Sequence, residues 1–181
     1  SRLDVAAIAV RTFVLYSLME FQSGNARTIR ITKRGSEFGI SDDGRGHPID
    51  KALEGTPYLR FIYTHFDYPF ARANAAPIQL QGIGMSLVNA MCSELTLTIR
   101  KQSETLVVNF RNGQFVESCR AEASNQETGI TINAKLAEGL PAEDGVASQL
   151  ESWLRSLLDV HPTLQLYLND TLVKPYAAND A

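Results

Sequence analysis

The chain has 181 residues, 44% of them hydrophobic and 20% charged, with a formal net charge of −3. That length is most simply one domain with a sizeable core, and the composition is that of an ordinary globular protein. The small acidic excess argues against an autonomous nucleic-acid binder, because neutralising phosphates needs a basic surplus; a DNA-directed function would have to reside in attached domains.

Residues 3–22 read as a helix, since Val10, Phe13, Val14, Leu18 and Phe21 recur at three- and four-residue steps. Gly24-Asn25 ends it, both residues tolerating the left-handed conformation common at helix ends. Two strands, 28–32 and 37–41, follow across the Arg34-Gly35 turn. A glycine-bearing turn occupies 42–47, and short helices are expected over 49–54 and 57–65. Residues 68–77, with two prolines, suit a loop over a pocket. A helix over 82–93 opens on glycines and offers Met85, Leu87, Val88 and Met91 to the core. Strands at 95–100, 105–111, 114–118 and 129–134 come next, with Asn112-Gly113 as a turn signal. The stripe Leu150, Trp153, Leu154, Leu157 and Leu158 marks a helix over 146–158, and 164–168 is a last strand before Asn169-Asp170. No repeat or linker divides the chain. The expectation is one α+β domain over 1–181, helices covering one face of a mixed, mostly antiparallel sheet.

Two glycine motifs carry chemistry. In Asp42-Asp43-Gly44-Arg45-Gly46-His47-Pro48, a carboxylate at a sheet end precedes a turn whose backbone can approach a planar ligand. Such a carboxylate accepts a hydrogen bond from an exocyclic amine, as adenine presents. In Gln81-Gly82-Ile83-Gly84-Met85-Ser86, two glycines open a helix, and free N–H groups there suit phosphate. Either motif alone is weak, since turns use Asp and Gly and close packing uses Gly-x-Gly. The pair in this order is more specific.

These two runs, 42–48 and 80–93, resemble the glycine boxes of the ATPase domain of type II DNA topoisomerase B subunits, gyrase and topoisomerase IV, in the superfamily shared with Hsp90, MutL and histidine kinases. Thr128-Gly129-Ile130-Thr131 sits where the family has a threonine–glycine strand, and 146–168 resembles its last helix and strand. The resemblance implies a two-layer α/β sandwich, the Bergerat ATP-binding fold, with ATP and Mg²⁺ as cofactors. Asp42 would contact the adenine amine, Gly44 and Gly46 would let backbone approach the base, and Arg45 with Pro48 would form the rim. Gly82, Ile83 and Gly84 would offer donors to the phosphates, and 68–81 would be the lid. In the family ATP closes this lid and pairs two domains into a homodimer. DNA and the gyrase A-type subunit are engaged by domains outside this chain.

The catalytic helix departs from that pattern. Thr12 stands at the general-base glutamate position and Tyr16 at the Mg²⁺-binding asparagine position, while Glu20 keeps the acidic residue that pairs with Arg45. Threonine is no base near neutral pH, and a phenol is a poor magnesium ligand. Ile130 replaces a hydroxyl that would help hold the adenine ring. The expectation is an ATP-binding domain of a gyrase-B-like protein with impaired hydrolysis, the alternative being a non-hydrolysing regulatory or scaffold module; a histidine-kinase-type domain fits less well with the Ser-Leu-Val-Asn-Ala run after the second box.

The remaining features read blandly. Cys92 and Cys119 have apolar neighbours and read as reduced core thiols. His47, His65 and His161 are scattered without zinc spacing. Aromatic residues from Tyr58 to Phe70 read as packing beneath the lid. No signal peptide or apolar run near ~20 residues is read, so a cytoplasmic location without membrane contact is expected.

Overall fold

The computed structural model describes residues 3–50, 52–53, 56–57, 63–64, 84–123, 127–144 and 148–176. Helix α1 spans Val5–Gln22. Asp4, in extended conformation, caps it by accepting the Ala7 N–H at 3.0 Å, which supplies one of the partners that a helix start lacks. The helix is apolar on most of its surface, and Ala6, Ala9, Val10, Phe13, Val14 and Leu18 are all buried. With 18 residues at a mean hydropathy of 1.3, it is long and apolar enough by composition to cross a membrane. That corrects the reading that no run comes near such a length. Here its side chains pack as the core helix of a two-layer domain.

One eight-stranded sheet carries the fold, in the order β10-β9-β1-β2-β8-β5-β6-β7. Its strands are β1 Thr28–Arg34, β2 Glu37–Asp42, β5 Cys92–Arg100, β6 Glu104–Arg111, β7 Gln114–Glu122, β8 Gly129–Leu136, β9 Gln165–Leu168 and β10 Thr171–Leu172. Among the described residues only β1 and β9 pair in parallel; the other pairings of this sheet are antiparallel. Alternation fixes the register: Ile31 faces Ile40, Ile40 faces Ile132, Leu97 faces Ile132 and Val108. A one-residue slip would turn this buried row out to water. The helices α1, α2 (Met85–Ala90) and α3 (Ser148–Val160) cover one face.

Several expectations are corrected. Ala52–Leu53 and Thr56–Pro57 form a small antiparallel hairpin, β3 and β4, where a helix was expected over 49–54. Pro57 biases the residue before it toward extended backbone. Of the helix expected over 57–65, only Tyr63 and Thr64 are helical among the described residues. The second glycine helix is six residues long rather than twelve: Gly84 lies at φ 86° and ψ 149°, outside helical space, and Cys92 already pairs with Leu136 in the sheet. Leu87 on that helix is exposed, while Met85 and Val88 are buried. Cys119 is exposed, because β7 is the sheet's edge; Cys92 is buried, and burial pushes its thiol up to about 12. Trp153 is half-buried beneath the Arg11 guanidinium, 4.9 Å from its ring, rather than fully in the core.

A buried ion pair ties α1 to the sheet. Lys33 follows Ile29 and Ile31 on the inward face of β1 and is wholly buried. Its ammonium meets Asp4 Oδ2 at 3.0 Å, the Glu143 carbonyl at 2.9 Å and the Gly35 carbonyl at 3.2 Å. The buried charge thus has a carboxylate partner and two carbonyl acceptors, the compensation that a charge in the core needs.

Candidate functional site

Asp42 ends β2 with its carboxylate turned toward α1 and 5% exposed. Ser17, on α1, donates its hydroxyl to Oδ2 at 2.7 Å. The Gly44 N–H donates to Oδ1 at 2.9 Å. Burial raises the Asp42 carboxyl above its ordinary value, the hydrogen bonds from Ser17 and Gly44 opposing that shift.

The turn after Asp42 is held from α1 as well. Glu20 accepts from the Arg45 N–H at 3.0 Å and from its guanidinium at 2.8 and 3.3 Å. These bonds, chiefly the side-chain ones, hold the Glu20 carboxyl below its usual range. Gly44 fits because nothing larger can: a Cβ there would lie 2.8 Å from Glu20 Oε2 and 3.1 Å from Asp42 Oδ1. Just past β5, Lys101 Nζ donates to the carbonyls of Arg45 at 2.9 Å and Gly46 at 3.3 Å. Gly129 opens β8 at φ +135° with its backbone pressed against that of Asp42; a Cβ would overlap the Asp42 carbonyl. Asp43 faces away, its Oδ1 accepting from the N–H groups of Arg27 at 2.8 Å and Thr28 at 3.0 Å. It therefore fastens the start of β1. His47 is half-buried with its Nε2 3.4 Å from the Tyr63 hydroxyl; burial, then the Lys101 charge, lowers it to about 4, so it is neutral at pH 7. Tyr63 itself is fully buried, stacked between Phe13 and Phe110. Pro48 is exposed beside His47 in the chain.

The structure thus brings together Asp42, Gly44, Arg45, Gly46, Glu20 and Ile130. Gly82, Ile83 and the 68–81 segment lie outside the described residues, and Gly84 stands at the start of α2. Tyr16 and Thr12 lie one and two turns back along α1 from Glu20. The Thr12 hydroxyl donates to the Ile8 carbonyl of its own helix at 2.9 Å and the residue is buried; Tyr16 packs half-buried on the core. Neither offers the anionic or amide oxygen that magnesium prefers, and among the described residues no group of three His, Cys, Asp or Glu could hold a metal ion. These residues do not fit Mg²⁺. Two open hollows of about 400 and 410 Å³ border the sheet, the first at Thr32 and Asn133, the second at Arg30, Ser41, Arg100 and the strand end at Asp42.

Sequence reasoning missed Ser17 and Lys101. A hydroxyl in an otherwise apolar helix, three residues before Glu20, was the available signal for Ser17, since a buried polar group needs a partner. Lys101 carried no signal beyond being one more lysine after a strand.

No protein-family model matches the chain. The B subunit of DNA gyrase from Campylobacter jejuni is 30% identical over 125 residues, covering 64% of this chain and 16% of that protein. Its counterpart from Spiroplasma citri is 28% identical over 163 residues, covering 85% and 25%. Among solved structures, the topoisomerase IV ATP-binding domain of Francisella tularensis, in complex with a small-molecule inhibitor, superposes with a TM-score of 0.71 at 20% identity, over 90% of this chain and 80% of that one. In sequence the chain is similar to B subunits of type II topoisomerases, and in fold to the ATP-binding domain of one of them. Its α+β fold is the fold of that domain, as the order of strands and helices implied. The B subunit of the type 2 topoisomerase from Aquifex aeolicus matches over 83% of this chain at 24% identity. The chain spans about a quarter or less of the length of the topoisomerase proteins it matches.

Proposed function

We propose that this domain binds an adenine nucleotide through Asp42 and hydrolyses it negligibly, as part of a gyrase-B-like protein whose DNA and A-type subunit contacts lie on other domains. The observation that carries the reading is the Asp42 carboxylate itself. It is buried, oriented by the Ser17 hydroxyl and the Gly44 N–H and flanked by a turn locked to α1 through Glu20, an arrangement suited to receiving one amine from a planar base. Gly82, Ile83 and Gly84 would take the phosphates by backbone N–H groups, and Gly46, Pro48 and Ile130 would border the base.

Impaired turnover is supported by the Thr12 hydroxyl, already bonded to Ile8. General-base assistance contributes ~10²–10⁴-fold to such reactions, and here the position has no base. Calorimetry with ADP and a non-hydrolysable ATP analogue, beside phosphate release with ATP, tests both halves. Binding that Asp42→Asn abolishes, with phosphate release at background, is the expected result. A Mg²⁺-dependent release rate that Asp42→Asn abolishes contradicts the impaired turnover. No binding at millimolar ADP leaves the second reading, a scaffold that keeps the fold for pairing with a partner.

A further inference from the structure

A turn that contains two glycines has little in its own side chains to fix its shape. Between Asp43 and His47, each successive peptide group instead has a hydrogen bond to a charged side chain. The Gly44 N–H donates to Asp42 Oδ1 at 2.9 Å, and the Arg45 N–H to Glu20 Oε2 at 3.0 Å. The carbonyls of Arg45 and Gly46 both accept from Lys101 Nζ, at 2.9 and 3.3 Å. The first half of the turn is therefore held from β2 and α1, and the second half by one ammonium just past the end of β5. Alternation along the strand delivers it there: Arg100 sends its guanidinium to the Thr131 hydroxyl at 2.7 Å, and the next residue, Lys101, sends its ammonium to the turn. Gly46 lies at φ +77°, in the left-handed region, and a Cβ on it would stand 3.0 Å from Ile99 Cγ2, so this half of the turn rests on β5.

We propose that Lys101 is a positioning residue for the nucleotide site: its ammonium holds the Arg45 and Gly46 carbonyls and so fixes the backbone that borders the base. The inference rests on the nucleotide reading above and deepens it, adding a second grip on the turn, from the β5 side, to the one that Glu20 applies from α1. An ammonium carries three donors and serves both carbonyls at once, and a charged donor holds a carbonyl more strongly than a neutral one. Because a peptide is planar and trans, fixing the two carbonyls also aims the N–H groups of Gly46 and His47 away from Lys101. Without the ammonium these two peptides are free to turn, and the cost of ordering them falls on ligand binding instead of being met in advance by the fold.

The test is calorimetric titration of wild type, Lys101→Met and Lys101→Arg with ADP, beside denaturant unfolding and amide hydrogen exchange of residues 44–47. Lys101→Met keeps the aliphatic stem and removes the donor. It is expected to weaken ADP binding about tenfold, the weight of one charge-assisted hydrogen bond, to speed exchange in the turn, and to change stability less than affinity. Lys101→Arg, which keeps the charge and the donors, is expected to restore most of the affinity. If Lys101→Met does not fold, Lys101→Gln takes its place, with a smaller loss expected because a neutral donor remains. Unchanged ADP affinity in the neutral variant, a loss matched by an equal loss of stability, or a Lys101→Arg variant as weak as the neutral one overturns the role of Lys101 while leaving the nucleotide reading intact. Wild type that binds no ADP overturns that reading and this role with it.

Discussion

Along α1, Ser17 and Glu20 reach across to the turn that follows β2, whereas Asp4 and Thr12 turn back on the helix and the sheet beneath it. The C-terminal half has side chains that grip the turn after β2: Ser17 holds Asp42, and Glu20 holds Arg45. The N-terminal half has side chains that serve the fold: Thr12 bonds Ile8, and Asp4 caps the helix while pairing with Lys33. The two sets of residues lie on successive turns with separate partners, so one set can change without disturbing the other. Under the proposed function the losses lie at Thr12 and Tyr16, and the bonds that position the turn after β2 run through Ser17 and Glu20 instead.

Three sets of measurements probe that contrast. The largest effect belongs to the structural half. Lys33→Met strands the Asp4 carboxylate in the core and is expected to cost ~3–5 kcal/mol in denaturant unfolding. Adding Asp4→Ser, which keeps a capping oxygen, should recover most of that loss. Recovery without any change in ADP affinity supports the division; a parallel loss of affinity would join the two halves into one unit.

At the recognition half, acid gives the next effect. His47 is lowered from 6.5 to about 4 in the folded protein, so the unfolded chain takes up a proton first. Its contribution to stability is complete above pH 6.5 and is lost as pH falls toward 4. The loss should be about 1–2 kcal/mol after discounting for partial exposure, and His47→Gln should remove it from a pH series of melting temperatures. Asp42 runs the other way. Its raised carboxyl favours the folded state at low pH and the advantage fades as pH climbs through its folded value. Nucleotide affinity, which needs Asp42 ionised, should therefore weaken on acidification before the protein's other carboxylates are neutralised.

The smallest effect comes from Glu20 and Arg45, where the guanidinium is 66% exposed. Glu20→Gln is expected to cost ~0.2–1 kcal/mol of stability, less in high salt. The Glu20 carboxyl is lowered from 4.5, so its contribution is present above that pH and is lost below it. A larger change in ADP affinity than in stability would confirm that the pair positions the turn rather than supporting the fold.

Much of this architecture was legible in the sequence, for a physical reason in each case. Strand alternation from Ile29 to Ile31 and from Leu95 to Ile99 marks the inward face directly, and the Asp-Gly turn after β2 announced where a carboxylate would sit. What stayed hidden depends on residues distant in the chain. Ser17 meets Asp42 across 25 positions. Lys33 reads as a solvent-facing lysine until Asp4, far earlier in the chain, arrives beside it. The exposure of Cys119 follows from β7 lying at the edge of the sheet, and strand order is not written in local pattern. The hairpin of β3 and β4 escaped because apolar residues in so short a run fit either period.

The most direct trial is a crystal structure of the protein grown with ADP and magnesium. The expected result is the adenine amine on the Asp42 carboxylate, Ser17 still on the other side of it, and no metal ion beside Tyr16. A nucleotide bound elsewhere, or a magnesium ion coordinated from the Thr12–Tyr16 face of α1, would contradict it.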